Sequence, residues 1–145
     1  MHAQPDCIFC RIIAGEMPCH RVMETDQVLS IMDKFPASDG HTLVIPKRHF
    51  ESVYDIEAQD MQAVALAARR IAAAIRAELS PDGMTVTQAN GAAAGQTVMH
   101  YHVHLIPRTA GERMRFHGQD DADPHRLEAL AHAFARRLRE APARA

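Results

Sequence analysis

The segment His100-Tyr101-His102-Val103-His104-Leu105-Ile106 repeats with a period of two. Read as a strand, it throws three imidazoles to one face and Tyr101, Val103 and Leu105 to the other. Its β-branched and aromatic content supports the strand, and Pro107 is expected to stop it, because proline cannot donate to a sheet ladder. The apolar face is core. The imidazole face is hard to bury, since ring nitrogens need partners and their charge changes near neutral pH. Three readings stand open on these grounds: satisfied core histidines, a three-histidine metal site, and nucleophilic catalysis by one imidazole that its neighbours orient or protonate. Strict alternation straight after a Gly- and Ala-rich turn, Gly91 to Gly95, weighs against the first, and catalysis is the preferred reading.

Upstream, Cys7-Ile8-Phe9-Cys10 is a C-x-x-C that redox motifs and zinc knuckles share. A redox motif would follow a strand in a βαβ unit. This one stands at the start of the chain, so zinc is preferred over a redox pair or two unliganded thiols; a tetrahedral site then needs two more ligands from elsewhere. Cys19 has no assigned role.

His20 to Thr25 and Val28 to Asp33 read as a two-stranded hairpin, and His41 to Ile45 as a third strand between Gly40 and Pro46. Asp33 alone reads as a solvated turn residue, and His41 as a hydrogen-bonded scaffold residue. For Lys47 and Arg48, a solvated loop and phosphate steering weigh equally. Met61, Val64, Ala68, Ile71, Ile75 and Leu79 recur at helical spacing, predicting a helix over Glu57 to Leu79 that Ser80-Pro81-Asp82-Gly83 ends. Met84 to Gln88 is a fourth strand.

The turn Gly91-Ala-Ala-Ala-Gly95-Gln96-Thr97 is by itself no more than a hairpin. Directly before three histidines it becomes a candidate phosphate cradle of backbone N–H groups, with Gln96 and Thr97 as added donors. Thr109 to Gln119 reads as a loop, and Asp123 and Pro124 as the N-cap and first turn of a final helix. That helix carries an apolar stripe of Leu127, Leu130, Ala131, Phe134 and Leu138; Pro142 ends it and Ala143 to Ala145 fray.

The row His100-Tyr-His102-Val-His104-Leu-Ile resembles the histidine-triad motif, His-φ-His-φ-His-φ-φ with φ apolar, of the histidine triad (HIT) nucleotide hydrolases and transferases. Cys7-Ile-Phe-Cys10, Gly40-His-Thr-Leu-Val-Ile-Pro-Lys-Arg-His49 and Gly91-Ala-Ala-Ala-Gly-Gln-Thr97 are similar to the bacterial branch of that family, in order, over roughly Cys7 to Arg108.

This resemblance implies a zinc site of Cys7, Cys10, His49 and His100, structural because protein fills all four positions. It implies a purine pocket lined by Ile8, Phe9 and Ile31, with Asp33 accepting the ribose hydroxyls. It implies His102 as nucleophile, forming a nucleotidyl-imidazole that water resolves, with His104 stabilising charge or passing a proton. Phosphoramidates, dinucleoside polyphosphates and acyl-adenylates are the implied substrate types, and a homodimer the implied assembly. The chain departs from the family eleven residues before His100, where a polar side chain is usual and Ala89 stands here; Asn90 or Gln88 would have to compensate. Leaving-group choice is assigned to Thr109–Gln119 and the final helix, where the resemblance fades.

The chain's 145 residues, 47% hydrophobic and 23% charged, make an ordinary globular composition. The expectation is a single α+β domain over 1–145: an antiparallel sheet of about five strands under one long helix, with a core over about 7–108 and a C-terminal loop and helix over 109–140. A net charge of -2 gives no polybasic footprint for nucleic acid. No apolar run reaches membrane-spanning length. The start, with His2, Gln4 and Asp6, lacks a signal-peptide layout, and an odd count of three cysteines argues against a disulfide framework. A cytoplasmic location is expected. The rivals are a non-enzymatic zinc-stabilised nucleotide-binding dimer, toward which Ala89 points, and a zinc hydrolase using the histidine row as ligands.

Overall fold

The computed structural model describes residues 3–141. Helix α1 (Ile8–Ile13) precedes a hairpin of β1 (Arg21–Glu24) and β2 (Val28–Met32). Strand β3 (Thr42–Pro46), the long helix α2 (Ala58–Leu79), β4 (Gly83–Thr87), β5 (Val103–Arg108) and α3 (Pro124–Glu140) follow. The five strands form one antiparallel sheet in the order β1-β2-β3-β5-β4. The expected fold class is therefore observed.

Period-two alternation sends Val28 and Met32 of β2, Val44 of β3 and Leu105 of β5 to the face covered by α2 and α3. There they meet Val64, Ile71 and Ile75 of α2 and Leu127, Leu130 and Phe134 of α3. The α2 stripe recurs every three or four residues, so one side of the helix is buried while Arg69, Arg70 and Arg76 stay in solvent. Asp123 caps α3 as expected, its Oδ1 accepting from the His125 N–H at 3.0 Å, with Pro124 in the first turn. The predicted stop at Pro142 and the fraying of Ala143 to Ala145 lie outside the described residues, as does His2.

The opposite face is covered too. Phe9 and Ile12 of α1 pack on Leu29, Ile31, Leu43 and Ile45, so every position of β2 and β3 is buried. Helix α1 is a third helix beyond the two foreseen. Six residues are too few to show a helical period, and Cys7 is its N-cap, its Sγ 3.4 Å from the Cys10 N–H.

The strand read over His100 to Ile106 is displaced toward the C-terminus. Strand β5 begins at Val103, so His100 and His102 lie on its approach, and it runs through Pro107. Pro107 is tolerated because β3 has already left the ladder at the Thr42–Leu105 pair. The Pro107 carbonyl accepts from Ser38 Oγ at 2.6 Å on that side, where a backbone N–H would have had no strand partner.

Candidate active site and metal centre

Four predicted ligands come from three distant segments. Cys7 and Cys10 sit at the start of α1, His49 just past β3, and His100 on the approach to β5. His100 Nδ1 lies 3.4 Å from Cys7 Sγ, 3.6 Å from Cys10 Sγ and 3.1 Å from His49 Nδ1, and Cys10 Sγ lies 3.3 Å from His49 Nδ1. Two sulfurs and two nitrogens around one tetrahedral zinc would stand about 3.3–3.8 Å apart, given bonds of about 2.3 and 2.0 Å. The spacing fits. So does the proton inventory: His100 Nε2 is 2.8 Å from the Pro46 carbonyl, which can only accept, so the proton sits on Nε2 and Nδ1 keeps its lone pair toward the sulfurs.

Two residues further on, His102 Nδ1 is 2.6 Å from the carbonyl oxygen of His100. The same rule puts the proton on Nδ1 and leaves the Nε2 lone pair free. The Phe9 ring meets the His102 imidazole edge-on, with centroids 5.0 Å apart, fixing its plane.

His104, in β5 opposite Leu43, belongs to a second chain of imidazoles. The Ala37 N–H donates to His41 Nδ1 at 2.9 Å, so neutral His41 carries its proton on Nε2 and donates to His104 Nδ1 at 2.9 Å. His104 is thereby left with its proton on Nε2. Burial pushes both imidazoles down to about 3, with nearby charge on His117 and His102 acting in the same sense, so both are neutral at pH 7. Burial lowers His102 and His100 as well, His100 to about 4. His41, expected as scaffold, is thus the residue that sets the His104 tautomer.

His102 and His104 open into a cavity of about 660 Å³, within the usual 300–1,000 Å³ range of small-ligand sites. Ile8, Phe9 and Ile31, the residues expected around a purine base, line it together with Ile12 and Leu43, and Asp33 and Thr97 lie on its polar margin. Asp33 Oδ1 accepts from the Phe35 N–H at 2.8 Å, and Oδ2 is 3.4 Å from His41 Nε2. Burial raises the Asp33 carboxyl pKa, opposed by the Phe35 N–H and by charge on His117.

Other candidates are placed elsewhere. Asn90 and Gln88 bond to each other at 2.6 and 2.9 Å, and Asn90 Oδ1 also accepts from the Val53 N–H; neither lines the cavity. The Gln96 amide is spent on backbone, donating to the carbonyls of Val98 on its own loop and of Glu51 after β3, and accepting from the Gly91 N–H. Gly95 ends a short 3-10 turn, Ala92–Ala94, with φ of 93°, a conformation that favours glycine. Lys47 and Arg48 are committed to carboxylates, Lys47 to Glu24 and Arg48 to Glu57 and the buried Asp60, which answers the loop-or-steering question in favour of structure. The residue that sequence reasoning missed is His117, whose ring lines the cavity 5.7 Å from that of His104; a lone histidine in a polar loop carries no periodic signal.

An antiparallel sheet whose fifth strand and its approach bring His104 and His102 to a cavity of small-ligand size, and His100 to a two-cysteine, two-histidine cluster, defines a class, and the family comparison agrees with it. The HIT domain model matches residues 14–111, and the chain belongs to that family. The chain is 41% identical over 143 residues to Protein hit of Bacillus subtilis, covering 95% of this chain and 98% of that one. It is 39% identical over 120 residues to adenylylsulfatase HINT3 of Arabidopsis thaliana, covering 79% and 61%. Among solved structures, a Hit-like protein involved in cell-cycle regulation from Bartonella henselae superposes with a TM-score of 0.88 at 35% identity, over 94% of this chain and 99% of that one. A Zn-bound histidine triad family protein from Mycobacterium smegmatis superposes with a TM-score of 0.82 at 34% identity, over 93% and 94%.

Proposed function

We propose that this protein hydrolyses purine nucleoside 5′-phosphate derivatives at the α-phosphate through a nucleotidyl-His102 intermediate. The observation that carries the reading is the His102–His100 hydrogen bond, which leaves Nε2 of His102 as an unprotonated nitrogen on the cavity. Imidazole suits the step because it is nucleophilic when neutral and its phosphoramidate is labile enough to turn over. Phe9, Ile8 and Ile31 would enclose the base, Asp33 accept the ribose hydroxyls, and Thr97 contact the phosphate, with Gly95 of the preceding turn beside His117 at its edge. His104 would donate from Nε2 to a phosphate oxygen, stabilising charge as it develops. The relative named an adenylylsulfatase supports this class of substrate.

Cys7, Cys10, His49 and His100 would hold zinc, which with four protein ligands has a structural role: it ties α1, the β3 exit and the β5 approach together and so seats His102. The Zn-bound relative supports this. The reading includes a homodimer, to which the exposed Leu66 of α2 and Val86 of the edge strand β4 would contribute apolar surface. It also includes a cytoplasmic location, which suits a chain whose three cysteines, Cys7, Cys10 and Cys19, are unpaired thiols. Among the described residues no helix is long and apolar enough to cross a membrane.

The test is intact-mass spectrometry after mixing with adenosine 5′-phosphoramidate, quenched without acid because phosphohistidine-type bonds are acid-labile. An added adenylyl group in the parent and none in His102→Ala is the expected result. AMP release without an adduct, equal in a folded His102→Ala, would overturn the nucleophile and favour metal-dependent hydrolysis. Bound AMP with no turnover would make the protein a binding module.

A further inference from the structure

The segment between β5 and α3 is exposed but fastened. Gly118 donates its N–H to the Phe35 carbonyl at 3.0 Å, Ala122 donates to the Lys34 carbonyl at 3.0 Å, and Lys34 Nζ lies 3.7 Å from Asp121 Oδ1. Gly118 lies so close that a Cβ there would overlap the Pro36 carbonyl oxygen and stand 2.7 Å from that of Phe35. The loop is thus pressed onto the segment that carries Asp33. The residue before that glycine, His117, is left over the cavity mouth, its ring nearly perpendicular to His104 at 84°. Its Nε2 is 3.7 Å from where a side-chain carbon on Gly95 would sit, so the ring spans from the turn before the triad to the third histidine.

Attack by His102 on a phosphoramidate places an electron pair on a departing amine, which needs a proton. The buried histidines have none to spare. His102 uses its Nδ1–H on the His100 carbonyl, and His104 accepts from His41 on Nδ1, so releasing its Nε2–H would leave an imidazolate. Asp33 is engaged by the Phe35 N–H and Lys34 is paired with Asp121. Two further imidazoles line the cavity, His20 and His117; His20 is half-buried, whereas His117 is exposed, open to exchange with solvent, and stands against His104.

Building on the nucleotidyl-histidine reading, we propose that His117 is the proton donor to the leaving group, supplied by the loop after the triad strand. In the first step His102 Nε2 bonds to phosphorus, the P–N bond to the amine breaks with its pair on nitrogen, and the proton of the His117 imidazolium goes to that nitrogen. In the second, a water oxygen bonds to phosphorus, the P–Nε2 bond breaks with its pair returning to His102, and the water proton restores the His117 imidazolium. AMP and the amine are the products.

The test compares kcat/KM for two substrates, because this ratio reports steps only through loss of the leaving group. Adenosine 5′-phosphoramidate needs the proton; the 4-nitrophenyl ester of AMP, whose nitrophenolate leaves unprotonated, does not. His117→Gln keeps the size and an N–H but cannot transfer a proton, and the expected result is a loss of about 10²-fold or more on the phosphoramidate with the ester within about threefold of the parent. Equal loss on both would make His117 a phosphate-binding group and overturn the proposal, as would no loss on either. A nitrophenolate burst in the parent and in His117→Gln, absent from His102→Ala, reports the covalent step separately. A parent with neither burst nor adduct would remove that reading first and this proposal with it.

Discussion

His102 donates its Nδ1–H to the carbonyl oxygen of His100 across 2.6 Å, and a proton assignment follows from that one contact. Together with the His41–His104 bond it predicts opposite tautomers on two histidines of the same row. Long-range ¹H–¹⁵N correlation spectra near pH 7 should show His102 protonated on Nδ1 and His104 on Nε2. The reverse pattern for His102 would leave no lone pair on the nitrogen that faces the cavity.

His41 acts through His104. Substituting Ala for His41 frees the His104 ring to turn and to take either tautomer, so kcat is expected to fall about 10- to 100-fold with KM nearly unchanged, since misplacing a group by an ångström is enough for such losses. The checks are steady-state kinetics and the His104 ¹⁵N shifts, which should become those of mixed tautomers. A His41→Asn variant, able to donate one hydrogen bond, should recover part of the rate. A change confined to KM would assign His41 to binding.

Acid should destabilise the fold through His41 and His104. Both are held to about 3 in the native state and titrate near 6.5 when unfolded, so between those values the unfolded chain binds more protons. Stability is full above about pH 6.5 and is lost as pH falls toward 3. Urea midpoints should drop across that window, and less steeply in His41→Gln.

Removal of metal should loosen the approach to β5. Cys10→Ser, or treatment with a strong chelator, is expected to lower the Tm and to reduce one bound zinc per chain to none, as measured by elemental analysis. A chain that folds equally well in chelator and never carried zinc would exclude a structural metal at Cys7, Cys10, His49 and His100.

Gly118→Ala would push the loop off the Phe35–Pro36 backbone. Overpacking of this kind costs about 1–3 kcal/mol, and the displaced His117 should weaken turnover of phosphoramidates more than of nitrophenyl esters. Circular dichroism melts and the same pair of substrates measure both effects.

Local pattern determined a good part of this protein. Alternation in the 100–106 row sent Tyr101, Val103 and Leu105 to the core and the histidines to the other side, and the stripe from Met61 to Leu79 marked α2 to within a residue. Asp123-Pro124 marked the start of α3. These are signals carried by neighbours in sequence, because periodicity and capping depend on a few adjacent residues. Cys7, Cys10, His49 and His100 were reached through family resemblance, and the fold brings their four ligand atoms to within 4.8 Å of one another. Tertiary packing decided the rest. It ended the β3 ladder at Leu105 so that Pro107 could stay in β5, spent Arg48 on Asp60, joined His41 to His104, and laid Gly118 against Phe35 so that His117 faces the triad. Each is a contact between residues from a dozen to about eighty positions apart, and its energy comes from burial and hydrogen bonding that exist only once the sheet has formed.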